Sequence, residues 1–244
     1  MNKIYKDKLE ILQKRIPIGL RHGLTLLEKT NGNVEKAEEY FRNEMVTLTA
    51  NKTNVTNDIA LKHLVKNNFD IGLTIKSIDE ERYTLTELIL RKYGNRKEEA
   101  LDKIMYAIEE THSIERQFWL KFHDLKELSS ETFCLLTLME WINYEDYESF
   151  EIALSFELET VTQQLENKLA LAELANSLRR ANEIQKLLYE KNNTDKGIEN
   201  YILATNQLRE NKEYQKYETN YKEQRSLLIE RLYEFVSANI DKFP

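Results

Sequence analysis

GLTLLEKTNGNVEKAEEYF, residues 23–41, can be set without a gap over ALKHLVKNNFDIGLTIKSI, residues 60–78. Leu24 then falls on Leu61, Leu27 on Leu64, Lys29 on Lys66, Asn31 on Asn68, Val34 on Ile71 and Phe41 on Ile78. A repeat of this kind decides the architecture before any single element is read, because each copy is one supersecondary unit. Both copies predict a helix, a short polar turn and a second helix. Leu24 and Leu27 mark the apolar face of the first helix, and Val34, Ala37 and Phe41 that of the second, at the three- and four-residue steps of an α-helix. In the first turn, Asn31-Gly32-Asn33 supplies a glycine that tolerates φ > 0 and an asparagine able to cap the next helix. Asn67-Asn68-Phe69-Asp70 offers asparagine and Asp70 for the same two tasks. Each copy also needs a preceding helix over its core, expected at residues 5–15, with Leu9 and Leu12 on one face, and at residues 43–52.

Working outward, LRKYGNRKEEALDKI at residues 90–104 is a weaker echo, with Leu90, Ala100 and Ile104 in the places of Leu27, Ala37 and Phe41. Lys97 stands where Val34 does, and a buried lysine is costly, so this segment reads as an ordinary helix-turn-helix. From residue 113 onward helix candidates follow one another, with breaks expected at Ser129-Ser130, near Asn143 and at residues 192–197. Residues 158–190 repeat Leu158, Val161, Leu165, Leu169, Ala172 and Leu178 at helical steps, which predicts one long amphipathic helix. Such a helix suits an antiparallel bundle, and its stripe also offers a coiled-coil contact with a second copy of the chain, a homo-oligomer through the C-terminal helices. Tyr214, Tyr217 and Tyr221 form a stripe that reads as a half-buried packing face. The expected organisation is therefore all-α: tandem three-helix modules at 1–45 and 46–82, a helix-turn-helix at 83–112, and a helical bundle at 113–244.

Composition agrees with that class. Six Gly and two Pro in 244 residues leave too few turn formers for a sandwich, a barrel or a Gly-rich nucleotide-binding sheet. A formal charge of -7 argues against nucleic acid as the main partner, since phosphate binding needs a basic footprint. Cys134 is the single cysteine and lies in the apolar run FCLLTLMEW, where it reads as a small buried residue in a reducing compartment. Charges are scattered through residues 1–20, without the apolar core of a signal peptide, and no apolar run reaches the length of a membrane span. The expected setting is the cytoplasm, without a membrane partner. N-x-[ST] triplets at Asn51, Asn54 and Asn192 carry no weight in that setting.

RIPIGLRHGLTLLEKTNGNVEKAEEYFR, residues 15–42, resembles the ubiquitin-associated (UBA) fold, and among its members the N-terminal domain of elongation factor Ts, through the loop Gly19-Leu20 and the segment NGNVEKA. TNVTNDIALKHLVKNNFDIGLTIKSI, residues 53–78, is similar to the UBA domain of the nascent-polypeptide-associated complex. Together the two stretches cover about a third of the chain. The resemblance implies three-helix modules that bind a partner protein with the loop between helices one and two and with part of helix three. Carried onto this sequence, the binding residues are Ile16, Pro17, Ile18, Gly19 and Leu20 in the loop, with Tyr40 and Phe41 on the last helix. The corresponding loop of the second module, Thr53-Asn54-Val55-Thr56-Asn57, is polar apart from Val55. The Thr-Asp-Phe-Val signature of elongation factor Ts is absent, so nucleotide exchange is not implied. A translation-associated factor, binding an elongation factor or the ribosome, is the alternative reading.

Side chains suited to chemistry are sparse. Glu109-x-x-His112 has the spacing at which a carboxylate and an imidazole share a helix face. A di-metal bundle needs a second such pair, and Leu120 stands three residues before His123. His22 and His63 have no Cys or His nearby and read as partly exposed surface residues. No Gly-rich phosphate loop, nucleophile elbow or spaced Cys cluster is present. Acidic residues at Glu140, Glu145, Asp146, Glu148, Glu151, Glu157 and Glu159 alternate with Trp141, Tyr144, Tyr147 and Phe150, which describes a solvated helix face docked by its aromatic edge. No enzyme, cofactor or metal is expected, and the function predicted is that of a protein-interaction module or adaptor with an unidentified protein partner. A helical-bundle metal protein is the further alternative.

Overall fold

The computed structural model describes residues 5–244, and the first four residues of the N-terminal stretch considered above, which open the 1–45 module, lie outside the described residues. The chain is all-α: thirteen α-helices and no strand among the described residues. It divides between Thr84 and Leu85 into two compact units.

The first unit holds α1 (Lys6–Arg15), α2 (Leu20–Lys29), α3 (Val34–Thr53), α4 (Asn57–Lys66) and α5 (Ile71–Arg82). The repeat is reproduced down to its turn hydrogen bonds. The Gly32 amide donates to the Leu27 carbonyl at 2.7 Å, and 37 positions later the Phe69 amide donates to the Leu64 carbonyl at 2.7 Å. Asn33 accepts from the Lys36 amide at 2.8 Å, as Asp70 does from the Leu73 amide at 2.9 Å, so each capping side chain satisfies an otherwise orphaned donor. Gly32 has φ +76, and Phe69 takes the same left-handed region at φ +61. Phenylalanine is poorly suited to that backbone. What holds it is its buried ring, 6.2 Å from Phe41 and 4.6 Å from the Arg42 guanidinium.

The helix expected at 43–52 is not separate. α3 runs through the expected boundary at residue 45, packing both with α1 and α2 and with α4 and α5. Its apolar period continues without interruption from Val34, Ala37 and Phe41 through Met45 to Ala50, and no Gly or Pro stops it. Leu12, Leu27 and Phe41 therefore share one core with Leu64 and Phe69. The two modules interlock through a common helix.

The second unit holds α6 (Leu85–Tyr93), α7 (Lys97–Thr111), α8 (Ser130–Tyr147), α9 (Phe150–Ala153), α10 (Leu158–Asn167), α11 (Ala172–Asn192), α12 (Ile198–Glu210) and α13 (Lys212–Ala238). The helix pair at 83–112 thus belongs with the bundle, where Lys97 is exposed enough to pair with Glu230 of α13 at 2.5 Å. The ends of the unit meet, the Thr86 amide donating to the Pro244 carbonyl at 2.8 Å.

Two expected elements differ. The long helix at 158–190 is a hairpin, because Ala170 turns left-handed at φ +54 and the Leu171 amide closes back on the Leu165 carbonyl at 2.8 Å. The Leu and Ala spacing in the sequence runs on through Leu169 and Ala172 and hides the break, but Ala172 is exposed and burial resumes at Leu174 and Ala175, five and six residues after Leu169. α8 meanwhile continues past Asn143, which lies half-buried within the helix and caps no new one. It ends at Glu148, and Ser149 caps α9 by accepting from the Ile152 amide at 3.3 Å. Ser129 caps α8 as the sequence predicts, accepting from the Thr132 amide at 3.1 Å.

Candidate protein-binding surfaces

The loop after α1 divides into inward and outward residues. Ile16 and Ile18 are buried in the first unit's core, and so is Phe41, which corrects their expected role in a contact surface. The segment is extended, so side chains alternate: the isoleucines point in, while Pro17 between them is exposed. Gly23 follows from this packing, since a Cβ there would lie 2.4 Å from the Leu9 Cδ1. Gly19 and Leu20 are exposed, Leu20 at 55%, and Tyr40 is 46% exposed. The Tyr40 ring carries the Lys29 ammonium at 4.5 Å. Lys29 ends α2 and Leu20 begins it, about 13 Å apart along the helix axis, so Tyr40 lies toward the other end of α2 from Leu20.

His63 is buried, contrary to its expected surface position. Its Nδ1 lies 2.9 Å from the Ser77 hydroxyl and its Nε2 lies 3.1 Å from Glu81, which explains how a polar ring is tolerated beneath α5. His22 is half-buried, 3.0 Å from Glu44. Glu109 is taken by Arg116 at 2.5 Å, and His112 is exposed. Among the described residues no group of three or more His, Cys, Asp or Glu side chains is placed to hold a metal ion. Burial pushes the Cys134 thiol up to about 12, so it stays protonated and unreactive at neutral pH.

Of the expected acidic face, Asp146, Glu148, Glu157 and Glu159 are exposed and Glu145 and Glu151 half-buried, as a solvated face requires, while Glu140 alone of the seven is interior. Glu140 is fully buried, Trp141 donates its indole N–H to the Ala153 carbonyl at 2.9 Å, and Phe150 stacks on Tyr221 at 5.3 Å. Glu145 accepts from the Tyr221 hydroxyl at 3.1 Å. Glu151 accepts from Tyr189 at 2.5 Å and from Thr205 at 2.9 Å. The stripe of Tyr214 and Tyr221 is buried and Tyr217 half-buried, as a packing face requires.

Glu140 organises the segment joining α7 to α8. Its Oε1 accepts from the Leu120 amide at 2.6 Å, and its Oε2 lies 3.0 Å from the Arg116 guanidinium, which also holds Glu109. Burial lifts the Glu140 carboxyl above its usual range, against the pull of the Leu120 amide and of Arg116. One carboxylate thus staples residues 116 and 120 to the core, and Gln117, Phe118 and Trp119 lie between the two anchor points. Phe118 is 86% exposed. Trp119 is half-buried, set edge-on to Tyr144 at 4.8 Å and to Tyr147 at 5.7 Å, and Tyr147 is 77% exposed. Tyr144 stacks on Phe156 at 4.3 Å, which backs the outer rings with core. Trp119, Tyr144 and Tyr147 thus form an aromatic shelf, with exposed Phe118 next to it in the chain.

The family model of the YfbN C-terminal domain matches residues 84–241, almost the whole of the second unit. This chain belongs to the YfbN family. A relative, the uncharacterized protein YfbN of Escherichia coli (strain K12), is 36% identical over 172 residues, covering 70% of this chain and 71% of that protein. No solved structure matches the chain. The aromatic shelf lies wholly inside the YfbN domain. No helix among the described residues is long and apolar enough to cross a membrane.

Sequence reasoning placed Tyr144 and Tyr147 on an aromatic edge but passed over Phe118 and Trp119. Their signal is present: ERQFWLKF sets two large aromatics beside charged residues with no helical period to bury both.

Proposed function

We propose that this chain is a protein-binding adaptor whose principal docking surface is the shelf of Trp119, Tyr144 and Tyr147 with Phe118 next to it in the chain. The observation that carries the reading is the exposure of Phe118 and Tyr147, at 86% and 77%, on a segment stapled in place by Glu140. Large rings held rigidly in water are unfavourable unless a partner covers them, and ordering them in advance lowers the entropy lost on binding. The first unit serves as a second contact region. Its paired three-helix packing around α3 supports a UBA-like reading, with Pro17, Gly19, Leu20 and Tyr40 as the outward residues of the loop and last helix. The buried, unpaired Cys134 suits work in the cytoplasm.

The test is affinity purification from the native cell with wild type and with a Phe118→Asp/Tyr147→Asp variant whose circular dichroism matches wild type. Loss of co-purifying proteins from the variant is expected. An identical set of bound proteins would overturn the assignment of the shelf.

A further inference from the structure

The rings of the shelf sit against the C-terminal turn of α8, and that turn is electronegative. The last turn carries Glu145 and Asp146 with no basic residue, and Glu148 caps it. The unpaired carbonyls of a helix C-terminus add about half a negative charge. Two of the three acids are already occupied, Asp146 by Arg225 at 2.5 Å and Glu145 by the Tyr221 hydroxyl. Glu148 is exposed, and among the described residues no cation pairs with it. Glu148 follows Tyr147 directly, and its amide donates to the Tyr144 carbonyl at 2.9 Å one turn earlier, so the free carboxylate and the rings are neighbours at this helix end. Of the cations on the adjoining segment, Arg116 is committed inward to Glu109 and Glu140, and Lys121 follows the Leu120 anchor.

We propose that the Trp119, Tyr144 and Tyr147 surface, with Glu148 beside it, receives an arginine or lysine side chain from a basic segment of a partner protein. This rests on the protein-binding reading above and names the chemistry of the partner. Ring faces attract a cation through their quadrupole, and the mutually edge-on setting of Trp119 with Tyr144 and with Tyr147 leaves ring faces differently oriented around one corner. Glu148 supplies the counter-charge, and the net charge of -7 steers a basic segment toward the protein.

The chain has two tryptophans, and Trp141 is buried, so Trp119 is the surface fluorophore. Hexa-arginine is titrated into the full chain while tryptophan emission is followed, with hexa-glutamate as the control peptide. Tyr147→Leu removes a ring without changing charge, and at 77% exposure the substitution spares the core. The expected result is a saturable change with hexa-arginine alone, weakened about two- to fivefold by Tyr147→Leu and again by Glu148→Gln, the loss that one exposed cation–ring or ion-pair contact brings. Binding within about 1.5-fold of wild type in both variants would overturn the proposal, leaving diffuse attraction to an acidic protein. A dimer in light scattering that Tyr147→Leu dissociates would also overturn it, by showing a second copy on the shelf. If the proteins lost in the affinity purification stay lost while hexa-arginine is indifferent to the rings, the adaptor reading stands and the cationic occupant falls.

Discussion

Replacing Glu140 by Ala removes the anchor on which the shelf depends. The Leu120 amide, donating at 2.6 Å into a fully buried carboxylate, loses its acceptor. A buried donor left unsatisfied costs about 1–3 kcal/mol, and breaking a buried ion pair by removing one partner costs about 3–5 kcal/mol. Arg116 keeps Glu109 at 2.5 Å and remains partly exposed, so its guanidinium is not stranded. The expected loss is therefore at the lower end, about 3 kcal/mol, or about 6–12 °C in the melting temperature of a unit of this size. Glu140→Gln keeps an acceptor for Leu120 and is expected to lose about 1 kcal/mol. Both tryptophans lie in the second unit, so urea unfolding followed by their fluorescence reports on that unit alone. In Glu140→Ala, Trp119 should also red-shift before global unfolding as the staple releases. A loss below about 1 kcal/mol with an unmoved Trp119 spectrum would refute the anchoring role of Glu140.

Three further outcomes follow from the geometry. Ala170→Gly is expected to raise the unfolding free energy from urea titration by up to about 1 kcal/mol, because Ala170 sits at φ +54. A loss of similar size would mean that residues 158–190 form the continuous helix instead. Ile18→Asp should unfold the first unit in circular dichroism, by burying an unpaired charge, whereas Leu20→Asp should leave the melt unchanged. Equal effects would contradict the division of the loop into inward and outward residues. Burial raises the carboxyls of Asp102, Glu140 and Glu145, so the folded unit holds these protons more tightly than the unfolded chain does. Their contribution is full below the unfolded carboxylate range and is lost as pH rises through the raised folded values. Glu145→Gln should then lessen the decline in urea midpoint from about pH 4.5 upward. An unchanged slope would contradict the raised carboxyl.

The helical class and the repeat were legible in the sequence because they rest on local periodicity and turn chemistry. Leu27, Asn33 and Gly32 have counterparts in Leu64, Asp70 and Phe69, and the structure uses each pair for the same hydrogen bonds. Legibility ended where tertiary contacts override local pattern. Nothing local separates α3 into two helices or joins it into one, and only the shared core of Phe41 and Phe69 shows the modules interlocked. The turn at Ala170 is hidden because Leu169 and Ala172 keep a helical step in the sequence across it, although Ala172 proves exposed. Glu140 looks like every other acid of its helix until the Leu120 amide and Arg116 arrive from a segment twenty residues earlier. The rings of the shelf each left a signal, but their assembly was illegible for the same reason, since they come from two distant stretches.

A photo-crosslinking amino acid placed at Phe118, at Tyr147 and, as a control, at exposed Glu173 of the same unit tests the docking surface most directly in the native cell. The account predicts the same discrete protein adducts from positions 118 and 147 and none from position 173. Adducts that are absent at 118 and 147, or identical at all three positions, would contradict it.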